Sequence, residues 1–253
     1  ILIPLLMAAA VGSACAAPQA ATPATAAQLT TMSARYAPVA LTADTAHLSA
    51  GDRQAIAKLV EAAKLVDVLQ LRQRWSGNEA LWAALKKDKS KLGQARLNYF
   101  WINKGPWSVL DAHASFMPAS YAGIAIPAHK PEAGNFYPQG ATKASLETWM
   151  NGLPADDKQQ AQWFFTTIRA GKDGKYHTVK YSDEYPVELK QLAKLLDEAA
   201  AATDNASLKK FLSLRAKAFL DNDYLPSDFA WMDLDAPVDI TIGPYETYND
   251  ELF

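Results

Sequence analysis

DITIGPYETYNDELF, residues 239–253, is the stretch on which the reading of this chain turns. Val238, Ile240 and Ile242 alternate with Asp239 and Thr241, the period-two pattern of a half-buried strand. Gly243 and Pro244 break that strand. Beyond the break come Tyr245, Glu246, Tyr248, Asp250 and Glu251. Carboxylates and phenols gathered at a strand end have the make-up of a binding-site lip; a solvated strand end is the ordinary reading of the same residues. Residues i and i+2 share one side of an extended chain, so Glu246 and Tyr248 are expected to reach one cleft, with Tyr245 turned away into packing. Asp250 and Glu251 read as solvated acids at the start of a helix.

Outward from this stretch the pattern is helical. Ser49 to Asp52 reads as a capping box with an acid in place of Glu, which starts a helix running to about Trp75. Its main apolar stripe is Ile56, Leu59, Val60, Ala63 and Val66, widened by Leu65, Val68, Leu69 and Leu71, so it is expected to be buried on most sides. Ser76-Gly77 ends it, and helices follow over about 78–87 and 92–101. From Gly105 to Gly140 the chain is rich in Gly, Pro and aromatics, and a loop that long is often functional. Helices resume over about 142–151 and 155–170, with Gly171 as a stop. Lys172 to Lys175 is a turn and Tyr176 to Tyr181 a short strand. Helices then start at Ser182 and at Asn205 or Ser207, and Tyr224 to Leu234 reads as irregular. The fold class is α+β, predominantly helical, with a minor β component.

The chain has 253 residues, 49% hydrophobic and 21% charged, with a net charge of −2. That is ordinary globular composition. It offers no basic stripe for nucleic acid or for an anionic membrane. The runs Lys86-Lys87-Asp88-Lys89 and Lys209-Lys210 read as solvated helix faces. Seven tryptophans and ten tyrosines supply aromatic core or a peptide-binding surface.

Residues 1–16 read as an export signal. Ile1 to Val11 is apolar but too short to span a bilayer, and Ala14 and Ala16 fit a cleavage site after Ala16. The alternative is a lipid anchor at Cys15, for which Gly12 is a poor residue three positions before the cysteine. Either reading places the protein outside the cytoplasm, in the periplasm or at the outer envelope. Residues 17–45, rich in Ala, Pro and Thr at their start, read as a flexible tether, and 46–253 as the folded part. Cys15 is the single cysteine, so a chain cut after Ala16 has no disulfide and no thiolate ligand.

Hydrolysis by zinc needs three protein ligands and an open position. The chain has no H-E-x-x-H. Its four histidines are His47, His113, His129 and His177, and no two sit at helical ligand spacing. His113 and His129 share the Gly-Pro-aromatic stretch, where loop histidines are the ordinary reading.

GPYETYND followed by ELF resembles the segment that dipeptidyl-peptidase III family zinc metallopeptidases carry before their catalytic half. NKGPWSVLD (103–111), AGNFYPQGATKASLETW (133–149), YSDEYPVELKQLAKLLDEAA (181–200) and DNDYLPSDFAWMDL (221–234) follow in the family's order. The resemblance implies one lobe of a two-lobed metallopeptidase, the N-terminal lobe without zinc, truncated at 253. The zinc motif H-E-x-x-G-H and a distal glutamate would lie beyond Phe253, so zinc would be held outside this chain and the chain alone would be inactive. The full protein would release dipeptides from peptide N-termini. Glu246 would bind the peptide's ammonium, and Tyr248 would donate to the developing oxyanion. Asn135, Phe136 and Tyr137 match the family pattern and read as structural. A non-enzymatic peptide-binding domain, exported or lipid-anchored, is the competing function.

Overall fold

The computed structural model describes residues 22–245 and 249–253. Among these, ten α-helices and three two-stranded antiparallel ribbons surround three apolar clusters. The first helix, α1 (Ala26–Ser33), lies inside the expected tether and corrects it. Thr25 and Gln28 close a capping box at its start. Leu29 is fully buried among Tyr99, Phe100 and Phe116, and Ala24 N–H donates to the Phe116 carbonyl. Composition points to a tether, but Leu29 together with Ala24, Met32 and Tyr36 packs on the second cluster, and such tertiary packing is what holds a short capped helix.

Helix α2 (Ala50–Arg74) is capped by the Ser49 hydroxyl, which accepts from Asp52 N–H at 2.9 Å. Asp52 in its first turn and Arg72 and Arg74 in its last suit the helix dipole. Its buried face is Ala55, Leu59, Ala62 and Leu69, one step round from the expected stripe. Val60 and Val66 stay exposed. The two alanines belong to the cluster formed with Leu189, Leu192 and Leu196 of another helix, and small residues there allow close approach. Helices α3 (Asn78–Lys87) and α4 (Lys91–Asn103) follow as expected.

The Gly-Pro-aromatic stretch forms β1 (Trp107–Ser108), β2 (Ala114–Ser115), β3 (Ser120–Tyr121) and β4 (Ile124–Ala125), paired β1–β2 and β3–β4. Ala122 and Gly123, both at positive φ, make the tight turn that joins β3 to β4. Trp107 is fully buried and its indole N–H donates to the Pro127 carbonyl at 2.8 Å.

After α5 (Lys143–Asn151) comes a second correction. The expected helix over 155–170 divides into α6 (Ala155–Ala161) and a strand, β5 (Thr166–Ala170), paired with β6 (Tyr176–Lys180). Thr166, Thr167 and Ile168 are β-branched, and a partner strand across the Gly171–Gly174 turn settles them in extended form. Next, α7 (Tyr181–Glu184), α8 (Pro186–Ala202), α9 (Ala206–Asp221) and α10 (Leu225–Met232) pack with α2 around the largest cluster. Asn205 caps α9, and Asn222 ends it at φ 66°. α10 replaces the expected irregular stretch; Pro226 in its first turn starts rather than breaks it.

The terminal alternation is real but builds no sheet. Leu234, Ala236, Val238 and Ile240 pack on the main cluster and Ile242 is buried within it, while Asp239 and Thr241 are exposed. The segment is extended without pairing to another strand among the described residues. The lysine runs are exposed apart from the half-buried Asp88.

Candidate functional site

The Thr241–Tyr245 segment closes one side of a cleft of about 420 Å³. α2 supplies Val66, Leu69, Gln70 and Gln73 to its wall, so the exposed Val66 faces the cleft. Tyr181, Tyr185, Tyr224 and Tyr245 bring four phenols. Burial raises the pKa of each, to about 12 for Tyr185 and Tyr245, so all stay protonated donors at neutral pH. Leu189, Leu192 and Phe219 make the apolar part of the lining. Such a cleft suits an uncharged group with apolar and amide parts.

Tyr245 is not simply packed away. Its ring lies 4.9 Å from the Arg215 guanidinium carbon, and its hydroxyl donates to Asp228 at 3.1 Å. Arg215 is fully buried in α9 and donates to the same carboxylate at 2.5 Å. Phe211 and Tyr224 each lie 5.4 Å from its guanidinium carbon. An arginine in the middle of the α9 stripe Leu208, Phe211, Leu212, Ala216, Phe219 is the sequence signal for this cluster, and periodicity alone does not show what it meets.

Past Asn249 the chain is held again. Arg74 Nη1 donates to Asn249 Oδ1 at 3.1 Å, and Lys130 Nζ donates to the Asn249 carbonyl at 3.2 Å. Lys130, whose side chain is 2% exposed, also pairs with Glu251 at 2.8 Å. Tyr137 donates to Asp250 at 2.5 Å, and Asp250 accepts from Leu252 N–H. Asp250 is therefore engaged by the fold, Glu251 stays exposed as expected although it pairs with Lys130, and neither starts a helix among the described residues, which corrects that part of the sequence expectation. Leu252 enters the third cluster. Beside it a smaller hollow of about 220 Å³ is lined by Phe136, Tyr137, Trp163, Ile168, Asp250 and Phe253.

Glu246 and Tyr248, the residues singled out by sequence, lie outside the described residues. The described neighbours on either side, Tyr245 and Asn249, belong to the two cation clusters above. His113 and His129 do meet at backbone level: His129 bridges Ala114, and Lys130 N–H donates to the His113 carbonyl. They do not make a metal site. Burial and the nearby charges of Arg74 and Lys130 lower the His113 pKa, and those charges also repel a dication. Among the described residues no group of three or more His, Cys, Asp or Glu is placed to hold a metal, so zinc does not fit the residues described.

No family model matches the chain. The solved structure of dipeptidyl-peptidase III from Corallococcus sp. strain EGB aligns with it at TM-score 0.87 and 49% identity. The alignment covers 92% of this chain and 42% of that one. This is a lobe like that of dipeptidyl-peptidase III. The structure of DPP III from Caldithrix abyssi aligns at TM-score 0.81 and 39% identity, over 88% of this chain and 41% of that one. Among curated proteins, Nudix hydrolase 3 from Arabidopsis thaliana is 37% identical over 261 aligned residues, 87% of this chain and 34% of the relative. The dipeptidyl-peptidase III-like lobe thus spans about two fifths of its solved relatives and one third of the curated one. Among the described residues no helix is long and apolar enough to cross a membrane.

Proposed function

We propose that this chain is the peptide-binding lobe of a metallopeptidase that releases dipeptides from peptide N-termini, with the zinc ligands outside the chain and the chain alone inactive. The observation that carries the reading is the 49% identity and 0.87 TM-score to dipeptidyl-peptidase III over 92% of the chain. The phenol-lined cleft beside Tyr245 supports it, because a peptide presents the apolar side chains and amides that such a wall accommodates. The Arabidopsis relative's name belongs to a protein of which this chain covers 34%, so it assigns no activity to the shared part.

In this reading Glu246 binds the substrate's terminal ammonium through charge-assisted hydrogen bonds, and Tyr248 donates to the oxyanion. The ammonium contact sets where the peptide stops and hence which bond is presented. Export rests on residues 1–16, and lipidation on Cys15; both lie outside the described residues. N-terminal sequencing of exported protein decides between Ala17 and a modified Cys15 as first residue.

The test is product analysis with the full-length protein. A peptide with a free N-terminus should yield dipeptides, and its N-acetylated twin should resist. Equal cleavage of both, or binding without any release, would overturn the exopeptidase reading; the second result would favour a pure binding domain.

A further inference from the structure

We propose that the α3–α4 hairpin docks an acidic, extended peptide segment of another protein, in a groove between its stacked tryptophans and its lysine-rich turn. None of the groove's side chains lines the phenol-lined cleft, and the inference does not depend on the roles proposed for Glu246 and Tyr248.

Positive charge is concentrated on this hairpin. Residues 78–104 carry six Lys and Arg against two Asp and Glu, in a chain of net charge −2. Lys86, Lys87, Lys89 and Lys91 are exposed around the turn from α3 to α4. Among the described residues no carboxylate pairs with any of these four, whereas Lys58, Lys104, Lys130 and Lys194 each have one. Asp88, the one acid in the turn, is already engaged: it accepts from the Tyr121 hydroxyl at 2.8 Å and from Ser90 N–H at 3.0 Å. Four unmatched ammonium groups within six residues attract an anionic partner and steer its approach.

A solvated lysine run needs no groove beside it. Here a groove of about 380 Å³ is lined by Trp82, Lys86, Gln94, Leu97, Asn98 and Trp101. The two indole rings stack with centroids 5.5 Å apart. Lys86 Nζ lies 3.6 Å from the centre of the Trp82 ring, and Lys104 Nζ lies 3.3 Å from that of Trp101. The indole faces are therefore covered, and their edges are what a partner meets. That disfavours a base or a sugar ring, which stacks on a bare face, and a bilayer, into which an indole projects. A peptide fits what remains. Gln94 gives one N–H to the Asp88 carbonyl and Asn98 one to the Ser33 hydroxyl oxygen, so each keeps an N–H and a carbonyl for a peptide backbone. Leu97 and the indole edges suit an apolar side chain, and Lys86 with its neighbours suits flanking carboxylates. An apolar floor with a polar, charged rim is the make-up of a protein interface.

The experiment titrates the full-length protein against a peptide of glutamates flanking one leucine, acetylated at its N-terminus and carrying a fluorescent label at its C-terminus. Acetylation keeps the peptide from being a substrate in the function proposed above, so anisotropy reports docking alone. Binding should saturate, weaken as salt rises and vanish when glutamines replace the glutamates. Lys86→Gln should weaken it about two- to fivefold, and the combination with Lys87→Gln and Lys89→Gln about tenfold or more. Gln94→Glu places a carboxylate in the groove and should weaken binding as much as the triple change. Lys190→Gln, at an exposed lysine of α8, should leave binding unchanged. No binding of the acidic peptide, equal binding of the glutamine peptide, or wild-type binding by the triple variant would overturn the proposal. So would wild-type binding by Gln94→Glu or an equal loss in Lys190→Gln, either of which would mean diffuse attraction without a groove. Capture of phosphatidylglycerol vesicles without capture of the peptide would overturn it in favour of a membrane surface. Absent dipeptide release with docking intact would instead overturn the proposed function and leave this inference standing.

Discussion

Thr203 donates a 2.6 Å hydrogen bond to Asp52, tying the end of α8 to the first turn of α2. Both residues are buried, and they stand 151 positions apart in sequence. Next to this contact Gly51 faces the Ala202 carbonyl so closely that a Cβ would sit 2.3 Å from its oxygen. The two helices on which the cleft is built are therefore pinned at one end.

Thr203→Val should leave the Asp52 carboxylate short of a partner and cost about 1–3 kcal/mol. Gly51→Ala should push the helix ends apart at a similar cost, about 1–3 kcal/mol. Urea unfolding midpoints measure both. Unchanged midpoints would mean that the α2–α8 junction is looser than these distances imply.

Asp228→Asn should be costly because it strips the counter-charge from a guanidinium with a fully buried side chain. Breaking a buried pair costs about 3–5 kcal/mol, and Asp228 is 39% exposed, so the lower end, about 3 kcal/mol, is expected. Tyr245→Phe removes one hydrogen bond to the same carboxylate and should cost about 1 kcal/mol. A reversed order of the two effects would show that Arg215 is held by its aromatic neighbours rather than by Asp228.

Two groups set opposite edges of the acid response, and both weaken the fold as pH drops. The folded-state pKa of His113 is lowered from 6.5 by burial and by Arg74 and Lys130, so the unfolded chain takes up the proton first. Stability should rise with pH between that lowered value and 6.5, and fall as pH drops through the same window. His113→Gln should flatten this part of the profile. Asp111 is depressed to about 2 by hydrogen bonds from Arg35 and Ser108. Its contribution is complete above the ordinary 3.8 and disappears as pH falls through about 2. Chemical denaturation across pH for wild type, His113→Gln and Asp111→Asn reads both windows; a wild-type profile that stays flat as pH drops below 6.5 would dismiss the histidine.

Glu246→Gln and Tyr248→Phe should separate in steady-state kinetics. An ammonium–carboxylate contact exists in bound substrate and transition state alike, so its loss should raise KM, by about 1–3 kcal/mol in binding. A hydroxyl that meets charge only in the intermediate should lower kcat by about a hundredfold or more. Equal effects of both variants on KM alone would remove Tyr248 from the chemistry.

The sequence by itself determined the helical class of this protein, most of its helix boundaries and its kinship. Caps and stops are local: Ser49 before α2, Asn205 before α9 and Gly77 before α3 act through neighbours a few residues away. The blocks ending in GPYETYND are likewise written in linear order. Tertiary structure alone decided the rest. Thr166–Ala170 became a strand because Tyr176–Lys180 is there to pair with it, and Val238–Ile242 stayed outside any sheet although its alternation faces the core. Leu29 drew α1 out of what composition made a tether, since burial against Tyr99 and Phe116 is invisible from residues 17–45. The cation clusters around Tyr245 and Asn249 needed the fold most of all. Lys130 and Asn249 are 119 positions apart, and no local pattern marks a surface-type lysine as buried until a distant carbonyl is brought to meet it.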